Sequence, residues 1–173
     1  MKKSEHANLR ELCFSALLLA IAVSLSFVES AFPPSPFLPP GVKLGSSNII
    51  VMYSLMFMGK RWGFSVAFLK SFFVLFMRGP AAFFISLSGG MTSLLSMCLL
   101  MKIKGLNLVY LSIGGAVCHN LGQLLAASLC LKNIYVWYYI PVLVLFGIVM
   151  GTVTGITIKI IMPVLGNLKR HLK

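Results

Sequence analysis

The sequence predicts an all-α integral membrane protein, a bundle of six transmembrane helices that forms one domain over residues 1–173. Hydrophobic residues make up 58% of the chain and charged residues only 10%, whereas a soluble domain carries about 25% charged residues. The mean hydropathy is +0.95. Because so few charges cannot cover a surface in water, lipid is expected to be the main solvent. Lys and Arg also concentrate between the apolar runs, as they do in membrane proteins.

Six apolar runs define the predicted spans, since a helix needs about 20 apolar residues to cross a bilayer. Proline and glycine clusters separate the runs, and Pro33–Pro36 with Pro39–Gly41 predict a stiff loop after the first span. The first run, Leu12–Val28, has 17 residues, more than the usual apolar region of a signal peptide, so it is predicted to be a retained helix. The second and third spans are short and are expected to be tilted or shielded by neighbours. The predicted spans are 9–31, 46–59, 62–77, 81–101, 107–131 and 135–162.

The distribution of basic residues predicts that both termini are cytoplasmic. With the N-terminus inside, eleven of the 15 basic residues fall in inner segments. The outer segments then hold Lys43, Arg78 and Lys132, while Lys70 lies within a span. An excess of Lys and Arg on the cytoplasmic side is the usual rule for membrane proteins. Two termini on the same side also require an even number of spans.

The formal net charge of +12 does not indicate a nucleic-acid-binding protein, because the basic residues form no solvated basic face. The four cysteines lie inside apolar runs without a CxxC pair, which favours small buried hydrophobic residues over a metal or redox site. His119 has no His or Cys partner at ligand spacing and no nearby carboxylate to orient it. No catalytic residue, metal site or cofactor is therefore predicted.

Polar and charged side chains inside the predicted spans are the candidates for a ligand site, because they are costly in a membrane unless paired or facing a cavity. Most of them fall in the outer half of the membrane, where one cavity opening outward would explain them together. The charges could instead be ordinary interfacial residues, Lys70 could snorkel, and the polar group on the fifth span could form interhelical hydrogen bonds. His119 and Asn120 are each within one helical turn of Gln123. The predicted binding residues are Glu29, Lys43, Asn48, Lys70, Arg78, Ser88, His119, Asn120 and Gln123.

Small residues recur at helical spacing on two spans and predict close approach of helices. Gly147, Gly151 and Gly155 on the sixth span are interpreted as internal packing of the bundle. For Ala16, Ala20 and Ser24 on the first span, internal packing and contact with a partner protein remain open alternatives.

Several segments resemble the bacterial Gx transporter family, which is also labelled heptaprenyl diphosphate synthase component I. The resemblance covers residues 29–155, and its most specific part is the His119-Asn120-x-Gly-Gln123 motif. Lys70 stands where relatives are expected to carry Arg. The matching segments are Pro40–Gly45 with Asn48-Ile49, Ser86–Gly90 with Ser93–Met97, Gly114–Gln123, and Tyr139–Pro141.

This family is similar to the substrate-binding S components of energy-coupling factor (ECF) transporters. The resemblance implies a six-helix fold with both termini inside, a vitamin pocket near the outer face of a bacterial plasma membrane, and a loop after the first helix that helps to close it. It also implies that Ala16 and Ala20 belong to a stripe that docks to a transmembrane coupling protein (T protein), which carries two cytoplasmic ATPases. The sequence itself contains no Walker motif, so ATP hydrolysis is expected from another chain.

Three functions follow as hypotheses. The first is an S component for micronutrient uptake, whose ligand is anionic if Lys43, Lys70 and Arg78 converge against Glu29. The second is a non-catalytic membrane subunit associated with heptaprenyl or isoprenoid diphosphate synthesis. The chain could not hold the magnesium of such a synthase by itself, because it contains no Asp and only three Glu. The third is a structural protein without a ligand.

Overall fold

The computed structural model describes the backbone of residues 2–31 and 45–171, with side chains described for residues 9, 11–29 and 45–163. Within these ranges there are six α-helices, one 3-10 helix and no strand, which confirms the predicted all-α, six-helix fold. The orientation of the termini stays a prediction. The helices are α1 (Lys2–Ala31), α2 (Asn48–Phe57), α3 (Lys60–Arg78), α4 (Pro80–Leu100), α5 (Leu108–Leu131) and α6 (Ile140–His171), with the 3-10 helix at Ile134–Tyr139.

Helix bounds differ from the predicted spans mainly where a helix continues into polar sequence. The first helix begins at Lys2 rather than at residue 9, and the sixth extends to His171 rather than ending at 162. Hydropathy marks the part of a helix that lipid surrounds, whereas Lys, Arg, Glu and Leu continue a helix equally well outside the membrane. The beginning of the predicted sixth span is the 3-10 helix, after which α6 begins at Ile140.

Within the part of the chain that the structure describes, four helical segments are long and apolar enough to cross a membrane: Glu11–Glu29, Pro80–Leu100, Leu108–Leu131 and Ile134–Pro163. The third helix has 19 residues, about 28 Å of helix, and it carries charges at both ends and at Lys70. The second helix has only 10 residues and is therefore about 15 Å long. A hydrocarbon core is about 30 Å thick, so α2 crosses about half of it.

The short helix α2 begins near the middle of the bundle. Met58 and Gly59 join its end to the start of α3, so the end of α2 and the start of α3 lie on the same side of the membrane. Lys70 lies ten residues along α3, about 15 Å from its start, and its Nζ atom donates to Ser47 Oγ directly before α2 at 3.0 Å. The start of α2 therefore lies at the same depth as the middle of α3, and the described residues directly before α2 are not helical.

The central part of the bundle is formed by α4, α5 and α6, with α5 between its neighbours. Gly147, Gly151 and Gly155 face the backbone of α5, and a Cβ added at Gly151 would lie 2.6 Å from Ile113 Cα. This is the internal packing predicted for the glycine stripe. Among the described residues α1 packs mainly on α2 and α3, so it stands at the edge of the bundle.

Candidate functional site

A cavity lies between α1, α3, α4, α5 and the segment that precedes α2. We call it the outer cavity. It gathers side chains of both charges together with several hydroxyl and amide groups. Its polar and charged lining residues are Ser26, Glu29, Ser47, Lys70, Arg78, Ser86, His119 and Gln123.

Lys70 brings a cation into the interior of the bundle. Only 3% of its surface is exposed, and its ammonium donates to Ser47 Oγ at 3.0 Å. Beside it, Ser71 and Ser86 share a hydrogen bond of 3.2 Å between α3 and α4. Because α3 carries large apolar residues on its exposed face and Lys70 on its buried face, the helix directs this charge away from lipid. The buried ammonium does not snorkel to the interface.

Glu29 connects α1 to the segment before α2. Its Oε1 atom accepts the backbone N–H of Gly45 at 2.7 Å, and Oε2 accepts the Ser46 hydroxyl at 3.4 Å. Gly45 has a φ of +81°, a conformation that glycine adopts readily, and its carbonyl accepts the N–H of Asn48 at 2.8 Å. The carboxylate thus holds the non-helical entry to α2 against α1.

His119 and Gln123 lie one turn apart on α5, and Gln123 Nε2 is 2.9 Å from His119 Nε2. An amide nitrogen only donates, so His119 Nε2 accepts in this arrangement, and a neutral ring would carry its proton on Nδ1, a buried atom without a hydrogen-bond partner among the described residues. Both side chains are almost fully buried. The opposing helix α4 presents Gly89 here, where an added Cβ would lie 2.6 Å from Gln123 Cγ. A side chain at position 89 would therefore displace this pair.

A second cavity lies deeper in the bundle, between α2, α4, α5 and α6. We call it the inner cavity. Gly45 and His119 line both cavities and therefore form the partition between them. An added Cβ on Gly45 would be 3.1 Å from His119 Cδ2, so the partition is tight. The inner cavity is lined by Gly45, Asn48, Met52, Met97, Ser112, Ala116, His119, Met150 and Thr154.

Both cavities are small in this conformation. The volume in which the centre of a water molecule can be placed is about 20 Å³ in the outer cavity and about 10 Å³ in the inner cavity. Such a volume corresponds to about one water molecule, for which about 10–15 Å³ is needed. A solute the size of a vitamin therefore enters only if side chains or helices around the cavities rearrange.

The nine predicted binding residues divide into four groups, of which the last, Ser88 and Asn120, lines neither cavity. Glu29, Lys70, Arg78, His119 and Gln123 come together around the outer cavity. Asn48 lines the inner cavity, and its Nδ2 atom donates to Ser93 Oγ at 3.1 Å. Lys43 lies outside the described residues, and so does most of the loop that was expected to close the pocket.

The structure does not bring Ser88 and Asn120 to either cavity lining. Ser88 donates to the carbonyl of Gly122 at 2.8 Å and ties α4 to α5. Asn120 Nδ2 donates to the carbonyl of Leu143 at 2.8 Å and ties α5 to α6. Interhelical hydrogen bonds were the alternative considered for the polar group on the fifth span, and Asn120 forms one; Ser88 forms another, which was not predicted.

Sequence reasoning did not select several lining residues that have recognisable signals. Ser112 lies seven positions before His119, which places it on the same face of α5. Ser26 lies three positions before Glu29 on α1. Ser47 lies next to Asn48 within the quoted family segment. Thr154 carries no such signal, since hydroxyl residues are frequent wherever membrane helices meet.

The small-residue stripe of α1 points away from the bundle. Ala16, Ala20 and Ser24 are exposed, and the Ser24 hydroxyl donates to the carbonyl of Ala20 at 2.9 Å. The buried face of the same helix consists of Ser15, Leu18, Ala22 and Ser26. Within the described residues, the stripe is therefore not used for packing inside the bundle.

Comparisons with known proteins agree with the resemblance seen in the sequence. Residues 18–161 match the family described as heptaprenyl diphosphate synthase component I. A solved structure, described as the S component of a bacterial ECF transporter, superposes with a TM-score of 0.72 over 93% of this chain and 98% of that chain at 23% sequence identity. This similarity establishes the fold. In a sequence comparison with curated proteins, none matched this chain.

Proposed function

We propose that this chain, which belongs to the heptaprenyl diphosphate synthase component I family, is the substrate-binding membrane subunit (S component) of an ECF-type transporter that takes up an anionic micronutrient. One observation carries the proposal: in a fold shared with an S component, charged and amide side chains converge on a cavity between the helices. Intramembrane ionisable residues mark substrate pathways more often than they serve stability.

The charges of the outer cavity favour an anion. Lys70 and Arg78 line it together with one carboxylate, Glu29. That carboxylate is already engaged by the Gly45 amide and the Ser46 hydroxyl. A carboxylate or phosphate group on the ligand would accept hydrogen bonds from the two cations, and charge-assisted bonds of this kind are the strong ones. The neutral His119 and Gln123 would contribute orientation rather than charge.

The exposed stripe of α1 is the proposed contact with the transmembrane coupling protein (T protein). Small residues allow two helix backbones to approach closely, and Ala16, Ala20 and Ser24 are not covered by the described part of the chain. ATP hydrolysis would come from cytoplasmic ATPases bound to that partner, since the sequence has no Walker motif. Both termini would face the cytoplasm of a bacterial cell, as the positive-inside distribution predicts.

The proposal is tested by affinity purification in mild detergent, followed by mass spectrometry of proteins and small molecules. We expect a coupling protein and ATPases to copurify with the wild-type chain, and Ala16→Leu or Ala20→Leu to reduce their recovery by about tenfold, because a leucine would separate the two helix backbones. The matched control is Ala81→Leu, at an exposed alanine on α4, which should leave recovery unchanged. Unchanged recovery in both α1 variants would contradict the docking surface.

A membrane subunit associated with prenyl diphosphate synthesis is the second candidate, and the family description favours it. This chain could not perform that chemistry alone. It has no Asp, and no group of three His, Cys, Asp or Glu within the described residues could hold a metal ion. Recovery of a soluble Asp-rich synthase without any ATPase in the same purification would support this candidate and contradict the transporter proposal.

A further inference from the structure

We propose that the inner cavity is a binding site for one uncharged polar group, reached from the outer cavity past Gly45. The consequence for the ligand rests on the proposed function: a transported solute would pair an anionic end, held near Lys70 and Arg78, with a neutral hydrogen-bonding end held near Asn48 and Ser112.

Three residues that line this cavity each have a buried polar atom without a hydrogen-bond partner among the described residues. These atoms are Asn48 Oδ1, Ser112 Oγ and His119 Nδ1, and the three residues are only 7%, 2% and 2% exposed. Asn48 is held in place by its amide nitrogen, which donates to Ser93, so its oxygen is a fixed acceptor. Buried polar groups in proteins are nearly always paired. Unpaired atoms on three residues of one cavity therefore indicate a site that a polar group fills.

The lining selects an uncharged group. Its described lining residues include no Lys, Arg, Asp or Glu, so none of them compensates a buried charge, which is far more costly than a buried neutral group. Asn48 supplies an acceptor, whereas Ser112 and Thr154 supply hydroxyls that can donate or accept. A hydroxyl or amide group satisfies this set. A metal ion does not, since the lining has no carboxylate and His119 Nε2 is engaged by Gln123.

The walls of the inner cavity can adapt to a larger group. Met52, Met97 and Met150 line it, and methionine fills irregular space because its unbranched chain has several rotatable bonds. Rotation of these side chains would enlarge a space that now accepts about one water molecule. The partition between the cavities contains no side chain from Gly45, which lies against the His119 ring. A shift of Gly45 and the residues that connect it to α2 would therefore join the two cavities.

Cysteine labelling of purified protein tests the site. The native cysteines are first replaced by alanine, and one cysteine is then introduced as Ser112→Cys in the inner cavity, Ser86→Cys in the outer cavity, or Ser54→Cys. Ser54 is a matched control because it is fully buried and its hydroxyl is unpaired, yet it lines neither cavity. The probes are 2-hydroxyethyl, propyl and 2-sulfonatoethyl methanethiosulfonate. The first two have nearly the same size and differ in polarity, and the third carries a larger, anionic group. Each rate is divided by that of a free thiol in buffer.

We expect Ser112→Cys to react fastest with the hydroxyethyl probe and at least about tenfold more slowly with the anionic probe, a difference of about 1.4 kcal/mol. Ser54→Cys should be unreactive with all three. Adding Gly45→Ala should slow labelling of Ser112→Cys several-fold and leave Ser86→Cys unchanged, because the new methyl group would press on His119.

Three results would overturn the inference. Labelling of Ser112→Cys no faster than Ser54→Cys would mean a sealed cavity. A faster reaction with the propyl probe than with the hydroxyethyl probe would mean a dry apolar space. Equal rates with neutral and anionic probes would remove the charge selection. The proposed anionic ligand is judged separately, since it requires Ser86→Cys to prefer the anionic probe, whatever Ser112→Cys does.

Discussion

Replacing Gly89 by alanine tests how closely α4 must approach α5 beside the candidate site. An added Cβ would lie 2.6 Å from Gln123 Cγ and 3.0 Å from both the ring Cε1 and the backbone carbonyl oxygen of His119. The carbonyl oxygen belongs to the helix backbone, so the clash cannot be relieved by a side-chain rotation alone. We expect the two helices to separate and the Gln123–His119 hydrogen bond to lengthen.

The magnitude follows from two opposing contributions. Overpacking of a well-filled interior costs about 1–3 kcal/mol, whereas alanine in a helix is favoured over glycine by about 0.5–1 kcal/mol. Gly89→Ala should therefore lower the free energy of unfolding by up to about 2.5 kcal/mol, with about 1 kcal/mol near the middle of the range. The adjacent Gly90 is a matched control, since its added Cβ would meet only Ala67 Cβ at 3.6 Å, an ordinary contact. Gly90→Ala should raise the free energy of unfolding by about 0.5–1 kcal/mol.

The measurement is the free energy of reversible unfolding of both variants and the wild type in one detergent, with circular dichroism as the signal. The opposite signs at neighbouring positions are the distinctive expectation, because a general response of the bundle to larger residues would give both variants the same sign. A Gly89→Ala protein as stable as Gly90→Ala would refute the argument that this glycine sets the distance between α4 and α5.

Three further substitutions separate binding from stability. Lys70→Met removes the buried ammonium and should reduce the amount of copurifying anionic metabolite by about ten- to hundredfold, the equivalent of one charge-assisted hydrogen bond of about 1.5–3 kcal/mol, without lowering stability. Glu29→Gln places an amide nitrogen or a weaker acceptor opposite the Gly45 N–H and should increase proteolysis of the segment before α2 several-fold. Asn120→Leu removes the donor to the Leu143 carbonyl and should cost about 1–3 kcal/mol of stability while the same metabolite is still retained.

Each of these expectations has its own control and its own contradiction. Lys70→Arg keeps the charge and should retain the metabolite, so loss in both variants would point to misfolding rather than to a missing charge. Glu29→Asp keeps the carboxylate but shortens its reach. If the segment before α2 is protected from proteolysis to the same extent in Glu29→Asp and in Glu29→Gln, a specific bond from the carboxylate to Gly45 is not supported. If Asn120→Leu is stable yet loses the metabolite, Asn120 belongs to the binding site and not to the α5–α6 contact.

The number and type of helices could be predicted because each apolar run is bounded by Gly, Pro or basic residues. The predicted span 81–101 differs by one residue from α4 (Pro80–Leu100), since Pro80 and the polar sequence after Leu100 mark both ends. The beginning of α1 and the end of α6 could not be located in this way, because helix propensity continues where hydropathy stops.

The composition of the site was partly predictable, whereas its division into two cavities was not. The cost of a buried charge singles out Lys70 in any membrane sequence. The helical period could not decide between His119 and Asn120, because both faces of α5 are buried against other helices, one toward the cavities and one toward Leu143 of α6. Ser112 lies on the same face of α5 as His119, but it was not selected, since a single serine on a buried helix face is ordinary.

The half-length of α2 has a consequence for how the lining of the two cavities can vary. A cavity made by shortening a core side chain weakens the contacts that hold the helices together. Here Gly45 and Ser47, described residues directly before the short helix α2, line the cavities, and non-helical backbone is tolerated at this depth only when protein covers it. Substitutions at these two positions can change the lining, while the six-helix scaffold and its lipid-facing surface keep the same architecture.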